Sequence, residues 1–396
     1  MITSVENGTE GPTIDVRLVP IALAAWAGAW LGTSGLPPGW VAALVLVVAG
    51  TGAALRLRSA WIGAVAALLA LSFGLGWIGQ RQLSTGPVSD LAAARAVVSV
   101  RAEITADPQL RDPGSRTGYL SVRARLLLVE GRGTHWRTSV PVVFVVTGDE
   151  AITAWLRHPV GERVTTTVRL SAPEPGADVA AVARARAPAT VSAEPSSLQR
   201  GVERVRAGLR QAVADRPAEP RALVPALVLG DTSTLTEDLA ADFRTTGLTH
   251  LTAVSGANLT LLLAFVLGVA RWAGVRGWWL RGLGLVGVVV FVALCRTEPS
   301  VLRAAAMGLV ALAALGSGGG RRGIRHLSAA MLGLLLLDPF LSRSWGFTLS
   351  VLASAGIIWW AGRWAALLCW LPRPLAEAVA VPLAAQLATL PAVAAI

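Results

Sequence analysis

The richest run of polar and reactive side chains in the sequence lies between Leu227 and Leu262. It reads Leu-Val-Leu-Gly-Asp-Thr-Ser-Thr-Leu-Thr-Glu-Asp and then Thr-Gly-Leu-Thr-His-Leu-Thr-Ala-Val-Ser-Gly-Ala-Asn-Leu-Thr. His250 and Ser255 are the residue types of a general base and a nucleophile. Five residues apart on a helix, however, they point about 140° away from each other. That spacing favours a polar path over a catalytic dyad. His250, Thr252, Ser255, Gly256 and Asn258 sit on an otherwise apolar segment, and a membrane helix carrying them must turn them toward protein or water, because an unsatisfied polar group in hydrocarbon is costly. Two other readings stay open: a Ser/His intramembrane hydrolase, and an exporter of a small solute or lipid-linked molecule with a narrower path. With four histidines and two cysteines in the chain, no catalytic residue, metal site or cofactor is expected.

These residues need elements to hold them. Thr234 and Glu237 form a capping box, and Leu235, Leu239 and Phe243 make one apolar stripe opposite Glu237, Asp238 and Asp242. This predicts a helix on the membrane surface, ended by a left-handed Gly247. Asp231 and the acidic face of that helix are expected to be solvated. Pro299, Ser300 and Arg303 open a later apolar segment, with Pro299 suited to a first helical turn. Asp338 and Arg343 lie in a loop that alternation puts at the same membrane face, so that Arg303 is expected to meet Asp338 or a phosphate there.

The background is a membrane chain. Of 396 residues, 54% are hydrophobic and only 15% charged, well below the roughly 25% usual in soluble domains. Apolar segments run over Leu18 to Leu36, Trp40 to Leu55, Trp61 to Ile78, Leu248 to Ala270, Trp278 to Leu294, Val301 to Leu315, Leu327 to Leu341, Phe347 to Ala361 and Leu375 to Ile396. About nine spans are therefore expected in a polytopic α-helical protein. The last reaches Ile396 with no polar residue to close it, and the sequence is expected to continue further. Met1 to Asp15 is acidic and lacks the basic start of a signal peptide, so the first helix is expected to remain as an anchor.

The net charge of +11 comes entirely from arginine, because the sequence has no lysine. Arg56 and Arg58, then Arg271, Arg276 and Arg281, then Arg321, Arg322 and Arg325, then Arg363 and Arg373 fall on one side by simple alternation. The positive-inside rule makes that side cytoplasmic. The N-terminus is then inside, and Arg296, Arg303 and Arg343 are outside against the bias. Cys295 and Cys369 fall near opposite faces, too far apart for a disulfide.

From about Asp90 to Ser192 the pattern changes to β-branched strands at Val97 to Ile104, Tyr119 to Glu130, Val140 to Thr147, Arg163 to Leu170 and Val179 to Arg186. These fit a small all-β barrel or sandwich, extracytoplasmic by the arginine count. The expected organisation is a three-helix membrane block at 1–80, the β domain at 90–193, a connector and surface helix at 196–246, and a second membrane domain at 247–396. Arg101, Arg123, Arg125 and Arg137, with Tyr119 and Trp136, could hold phosphates and stack bases in the β domain.

The strings Gly230-Asp231, Gly247 to Gly256, Pro299-Ser300-Val301-Leu302-Arg303-Ala304, Asp338-Pro339-Phe340 and Gly346 to Ser350 resemble the competence domain of the ComEC family of DNA-uptake channels. The likeness covers about Leu223 to Ile396, and the β domain is similar to the family's OB-like extracytoplasmic module. The resemblance implies an inner-membrane channel for single-stranded DNA during natural transformation, lined or gated at His250, Thr252, Ser255, Gly256, Asn258, Pro299, Arg303 and Asp338. It also implies a DNA receptor and an ATPase as partners, and a homo-oligomer is allowed. The energy must come from elsewhere, since a Gly-x-x-x-x-Gly-Lys motif cannot occur without lysine. Many relatives continue into a metallo-β-lactamase-like nuclease domain, whose His-x-His-x-Asp-His motif is not found in these residues, so no nuclease or other enzyme activity is expected of them. Ser255-Gly256-Ala257-Asn258 replaces the Ser-Gly-Leu-His of many relatives, which removes one histidine from the path.

Overall fold

A computed structural model describes residues 18–35, 60–111, 118–131, 133–232, 235, 237–246, 256–296, 299–313 and 323–395. In the β domain, strict alternation puts Val98, Val100, Ala102 and Ile104 of β1 (Val97–Ile104) inward and their neighbours outward. After the short β2 (Gln109–Arg111), the same period runs through β3 (Tyr119–Gly131), β4 (Thr134–Val146), β5 (Arg163–Ser171) and β6 (Ala181–Ala185), followed by the short β7 (Thr190–Ala193). The long strands close on themselves in the order β1, β3, β4, β6, β5 and back to β1. All pairings in this ring are antiparallel except β4 with β6. The domain is therefore a closed mixed sheet.

It is not all-β, which corrects the sequence expectation. The helix Asp149–Trp155 sits between β4 and β5, and its fully buried Trp155 packs on Phe144 with ring centroids 5.0 Å apart. A second helix, Pro87–Ala93, delivers Val88, Leu91 and Ala92 into the same core.

The membrane-type helices are α1 (Val19–Gly32), α2 (Ala60–Ser84), α8 (Gly256–Trp272), α9 (Trp278–Cys295), α10 (Pro299–Ala313), α11 (Gly323–Leu337), α12 (Trp345–Gly356) and α14 (Arg373–Ala394). The two short helices of the β domain are α3 and α4. The connector holds α5 (Ser197–Ala212), α6 (Ala218–Leu229) and α7 (Glu237–Thr245), and α12 runs on through a π-helical segment into α13 (Gly362–Leu367).

Four helices among the described residues are long and apolar enough to cross a membrane: Trp61–Ser84, Trp278–Cys295, Trp345–Leu367 and Arg373–Ala394. This is fewer than the nine expected. The 14 residues of α1 reach only about 21 Å at 1.5 Å per residue, short of a hydrocarbon core of about 30 Å. The expected span Trp40 to Leu55 lies outside the described residues.

Helices α1 and α2 run parallel and almost touch. A Cβ on Gly28 would fall 2.3 Å from the Leu69 carbonyl oxygen, and one on Gly32 2.3 Å from that of Phe73. Parallel packing is the relation that the first and third of three alternating crossings must have.

Two apolar cores follow. In one, Leu259 and Leu263 of α8, Val288 and Phe291 of α9, and Val301 and Ala304 of α10 pack together. In the other, Ala22 and Ala29 of α1 meet Leu327, Met331 and Leu335 of α11 and Phe347 of α12. The N-terminal helix is thus part of the second membrane core. Trp26 seals this contact, with its indole N–H donated to the Ser342 carbonyl at 2.9 Å and its ring edge-on to Phe347 at 5.2 Å. Helix α10 serves both cores, turning Val301, Ala304 and Ala305 to one and Leu302, Ala306 and Met307 to the other.

Candidate functional site

The β domain rests on one end of the bundle at two separate places. At the first, the start of the β1–β2 loop meets α5, the end of α6 and the end of α9. Gln199 and Ser196 form a capping box that starts α5, and a period of three to four residues then places Glu203, Arg206 and Arg210 on one face of it. Arg206 is only 1% exposed. Its guanidinium donates to Asp107 Oδ2 at 2.8 Å, to the Leu294 carbonyl at 2.8 Å and to the Leu229 carbonyl at 3.3 Å.

Arg210 joins Asp231 and Glu203, each at 2.5 Å. Arg296 reaches Glu203 at 2.9 Å and Asp107 at 3.5 Å. Three guanidiniums thus meet three carboxylates drawn from four parts of the chain. Burial opposes the charge on Arg210, but the hydrogen bonds to Glu203 and Asp231 outweigh it and raise its pKa. A cleft of about 300 Å³ opens beside the cluster, lined in part by His158 and Arg157.

Two backbone details show how tightly this corner is drawn. Arg296 caps α9 at φ 66°, ψ 175°, a region that is essentially glycine's and costs another residue about 1–3 kcal/mol. Helix α6 ends in a left-handed Gly230 at φ 69°. Its last three carbonyls each receive a donor from another element: Leu227 from Asn258 Nδ2 at 2.6 Å, Val228 from Cys295 Sγ at 3.8 Å, and Leu229 from Arg206. A helix C-terminus carries partial negative charge and unsatisfied carbonyls, so the arginine and the amide are well matched to it.

At the second place, the loop between β5 and β6 lies against the loop that joins α11 to α12. Arg123 on β3 pairs with Asp178 at 2.6 Å. Asp338 accepts the Phe340 N–H at 3.1 Å, capping the 3-10 turn Pro339–Arg343. Burial raises the Asp338 pKa and nearby Asp178 adds to the rise, while the Phe340 N–H and Arg123 act the other way. Arg343 donates to Thr33 Oγ1 at 3.1 Å and stacks over Trp30 at 5.0 Å. Its Nη1 lies so near Gly176 that a Cβ there would come within 2.9 Å.

Between these anchors, three arginines of the ring share one outward face. Arg101 of β1 stands opposite Leu128 of β3, which stands opposite Arg137 of β4. Arg125 lies on the same face of β3, opposite Glu103, whose ion pair is with Arg163 at 3.1 Å. Arg101, Arg125 and Arg137 are exposed and have no ion pair among the described residues.

The structure therefore gathers some of the expected site residues and separates others. Arg123 is held by Asp178 rather than standing free with the other three. Trp136 opposes Val129 and packs against the core, which takes it away from base stacking. Tyr119 is half-buried at the end of β3, opposite Arg111. Asp231, expected to be solvated, is 3% exposed and held by two arginines. Gly256 and Asn258 open α8, while Pro299 starts α10, which also carries Arg303. Asp338 faces the β domain. His250, Thr252 and Ser255 lie outside the described residues, as do Thr234 and Gly247.

The ionic cluster was missed by sequence reasoning, although Glu203, Arg206 and Arg210 at helical spacing were a visible signal. Arg296 and Arg343, which stood out against the charge bias, have their explanation: each is an anchor.

No curated protein and no solved structure gives a significant match. Residues 227–396 match the family model described as Competence protein. This segment begins at the carbonyls that Asn258, Cys295 and Arg206 hold, and it includes α8 to α14. These residues are therefore similar to the Competence protein domain, the region characteristic of the ComEC family, and the match supports a role in DNA uptake.

Proposed function

We propose that the protein passes one strand of DNA through the inner membrane, and that the β domain lies outside and receives it. The observation that carries this reading is the placing of the three unpaired arginines. They lie on a domain that meets the bundle at Asp107, paired with Arg296, and at Gly176, which lies against Arg343, and both contacts are at the end opposite Arg271, Arg276, Arg281, Arg325, Arg363 and Arg373. Positive-inside bias makes that arginine-rich end cytoplasmic, and the docked domain is then extracytoplasmic.

The strand order of the ring supports an OB-like reading. Taking the five long strands alone, the first pairs with the second and fourth, the third pairs in parallel with the fifth, and a helix joins the third to the fourth. In OB folds the face of the second and third strands, with the loops after the first and fourth, takes oligonucleotides. Here that face carries Arg125 and Arg137, and the two loops are the anchors. A strand bound there is held over the end of the bundle, and α10 with Arg303 stands between the two membrane cores. Uncharged Asn258 and Gly256 at the start of α8 continue the way in. A separate ATPase and a DNA receptor would supply force and substrate.

The test is uptake of labelled DNA by cells carrying Arg303→Ala or the double substitution Arg101→Gln, Arg137→Gln in the full-length protein. Uptake falls at least tenfold at normal expression if the reading holds. Unchanged uptake in both variants overturns it.

A further inference from the structure

On the other side of the ring, Arg169 of β5 stands directly opposite Arg184 of β6. Directly opposed residues of an antiparallel pair have Cβ atoms about 5 Å apart, and like charges there repel. Both arginines are exposed. Their neighbours in the same row are Val97 on β1 and Val145 on β4, so no carboxylate lies in the row. Helix α3 packs on both strands and brings Asp90 in its first turn, yet among the described residues neither arginine forms an ion pair. Arg123 and Arg163 on the same ring are both neutralised.

A third arginine stands at this edge. Arg95, two residues before Val97, is exposed and adopts φ +50°, a left-handed conformation that few side chains take. Two residues past Arg169, β5 ends, and the loop that follows is the one lying against Arg343.

We propose that Arg169 and Arg184 form a phosphodiester-binding site for the DNA strand, a second contact on the β domain distinct from the row of Arg101 and Arg137. This inference rests on the uptake reading and adds to it. A repulsive pair with no partner is a local cost that a bridging phosphate removes, since two guanidiniums can each donate to it. The location gives the site a role: it holds the strand where β5 delivers the chain to the mouth of the bundle. A phospholipid headgroup offers the same group. Nucleic acid is favoured because cations in series along one domain suit a polyanion, and here two such rows share one ring.

The test uses the full chain in nanodiscs of phosphatidylcholine, with and without phosphatidylglycerol, and a fluorescent single-stranded oligonucleotide titrated across a salt series. Each phosphate contact contributes about 0.7 to the slope of log affinity against log salt. Because the two arginines share one bridging phosphate, the double substitution Arg169→Gln, Arg184→Gln should lower the slope by about 0.7. Its melting temperature should be equal or higher, because the repulsion is gone. The charge-keeping pair Arg169→Lys, Arg184→Lys should retain most of the slope. An unchanged slope in a protein that still binds DNA overturns this site and leaves the uptake reading standing. An effect seen only as weaker dependence on phosphatidylglycerol overturns it in favour of lipid. A wild-type protein that binds no DNA removes both.

Discussion

Arg206 donates to Asp107 across 2.8 Å, and this contact joins a helix that lies on the end of the bundle to the first loop of the β domain. The arginine is 2% exposed at its side chain and the aspartate 39%, so the pair is half in water on one side only. Buried ion pairs add little net stability over apolar packing, but breaking one by removing a single partner leaves a buried charge alone. The consequence is a junction that is specific in geometry and intolerant of partial loss.

Arg206→Leu should destabilise the protein by about 3–5 kcal/mol, since it leaves Asp107 and Asp231 short of a cation and the Leu294 carbonyl without its donor. Arg123→Ala removes a pair whose partners are about half exposed and should cost about 0–1 kcal/mol. Denaturant unfolding in detergent micelles compares them. Equal effects in the two variants would show that the cluster is no tighter than a surface pair.

The strands were legible in the sequence because a ring buried on one side imposes a period of two, and Val98 to Ile104 shows it plainly. Which strands pair was not legible, since nothing in the alternation of β4 says that its second neighbour is β6 in parallel. The length of α2 was underestimated for a related reason. Gln80, Arg81 and Gln82 end the apolar run, but the helix continues to Ser84 and carries the chain up to the β domain. The cluster of Asp107, Glu203, Arg206 and Arg296 depends on segments far apart in the chain, and local patterns carry no information about such meetings. The helical spacing of Glu203, Arg206 and Arg210 and the sign of Arg296 against the charge bias were the two hints of it.

Gly28→Ala and Gly32→Ala should each push α1 from α2, because a methyl group has no room 2.3 Å from a backbone oxygen. Overpacking of this kind costs about 1–3 kcal/mol. Gly74→Ala meets nothing within 4 Å and should be neutral or slightly stabilising, as alanine is the better helix former. Thermal unfolding of the three variants checks the order. A Gly28 variant as stable as the wild type would mean that the two helices are further apart than the structure has them.

Asp338 gives a pH dependence with a definite sign. Its pKa is raised in the fold, chiefly by burial, so the folded state holds the proton more tightly than the unfolded state does. That contribution is complete below the unfolded value near 3.8 and is lost as pH rises through the raised folded value. Asp338→Asn keeps an oxygen to accept the Phe340 N–H and cannot ionise. The variant should therefore match the wild type at the acid end and become the more stable of the two as pH approaches neutrality. Melting curves in a buffer series would record the gap, and a gap that closes toward neutral pH instead would contradict the assigned direction.

Asn258 separates bracing from conduction. Its amide satisfies the Leu227 carbonyl at 2.6 Å, and a buried or half-buried acceptor that loses its donor costs about 1–3 kcal/mol. Asn258→Leu should lower the melting temperature and DNA uptake together. Asn258→Asp also removes the donor, and it places a negative charge beside the carbonyl end of α6, where the helix field disfavours it, so it should be the worse of the two for stability. If the amide acts only on the strand in transit, both variants will melt like the wild type while uptake falls, and Asn258 then belongs to the path rather than to the brace between α6 and α8. The two measurements made on the same variants decide between these roles because a brace cannot be lost without a change in melting.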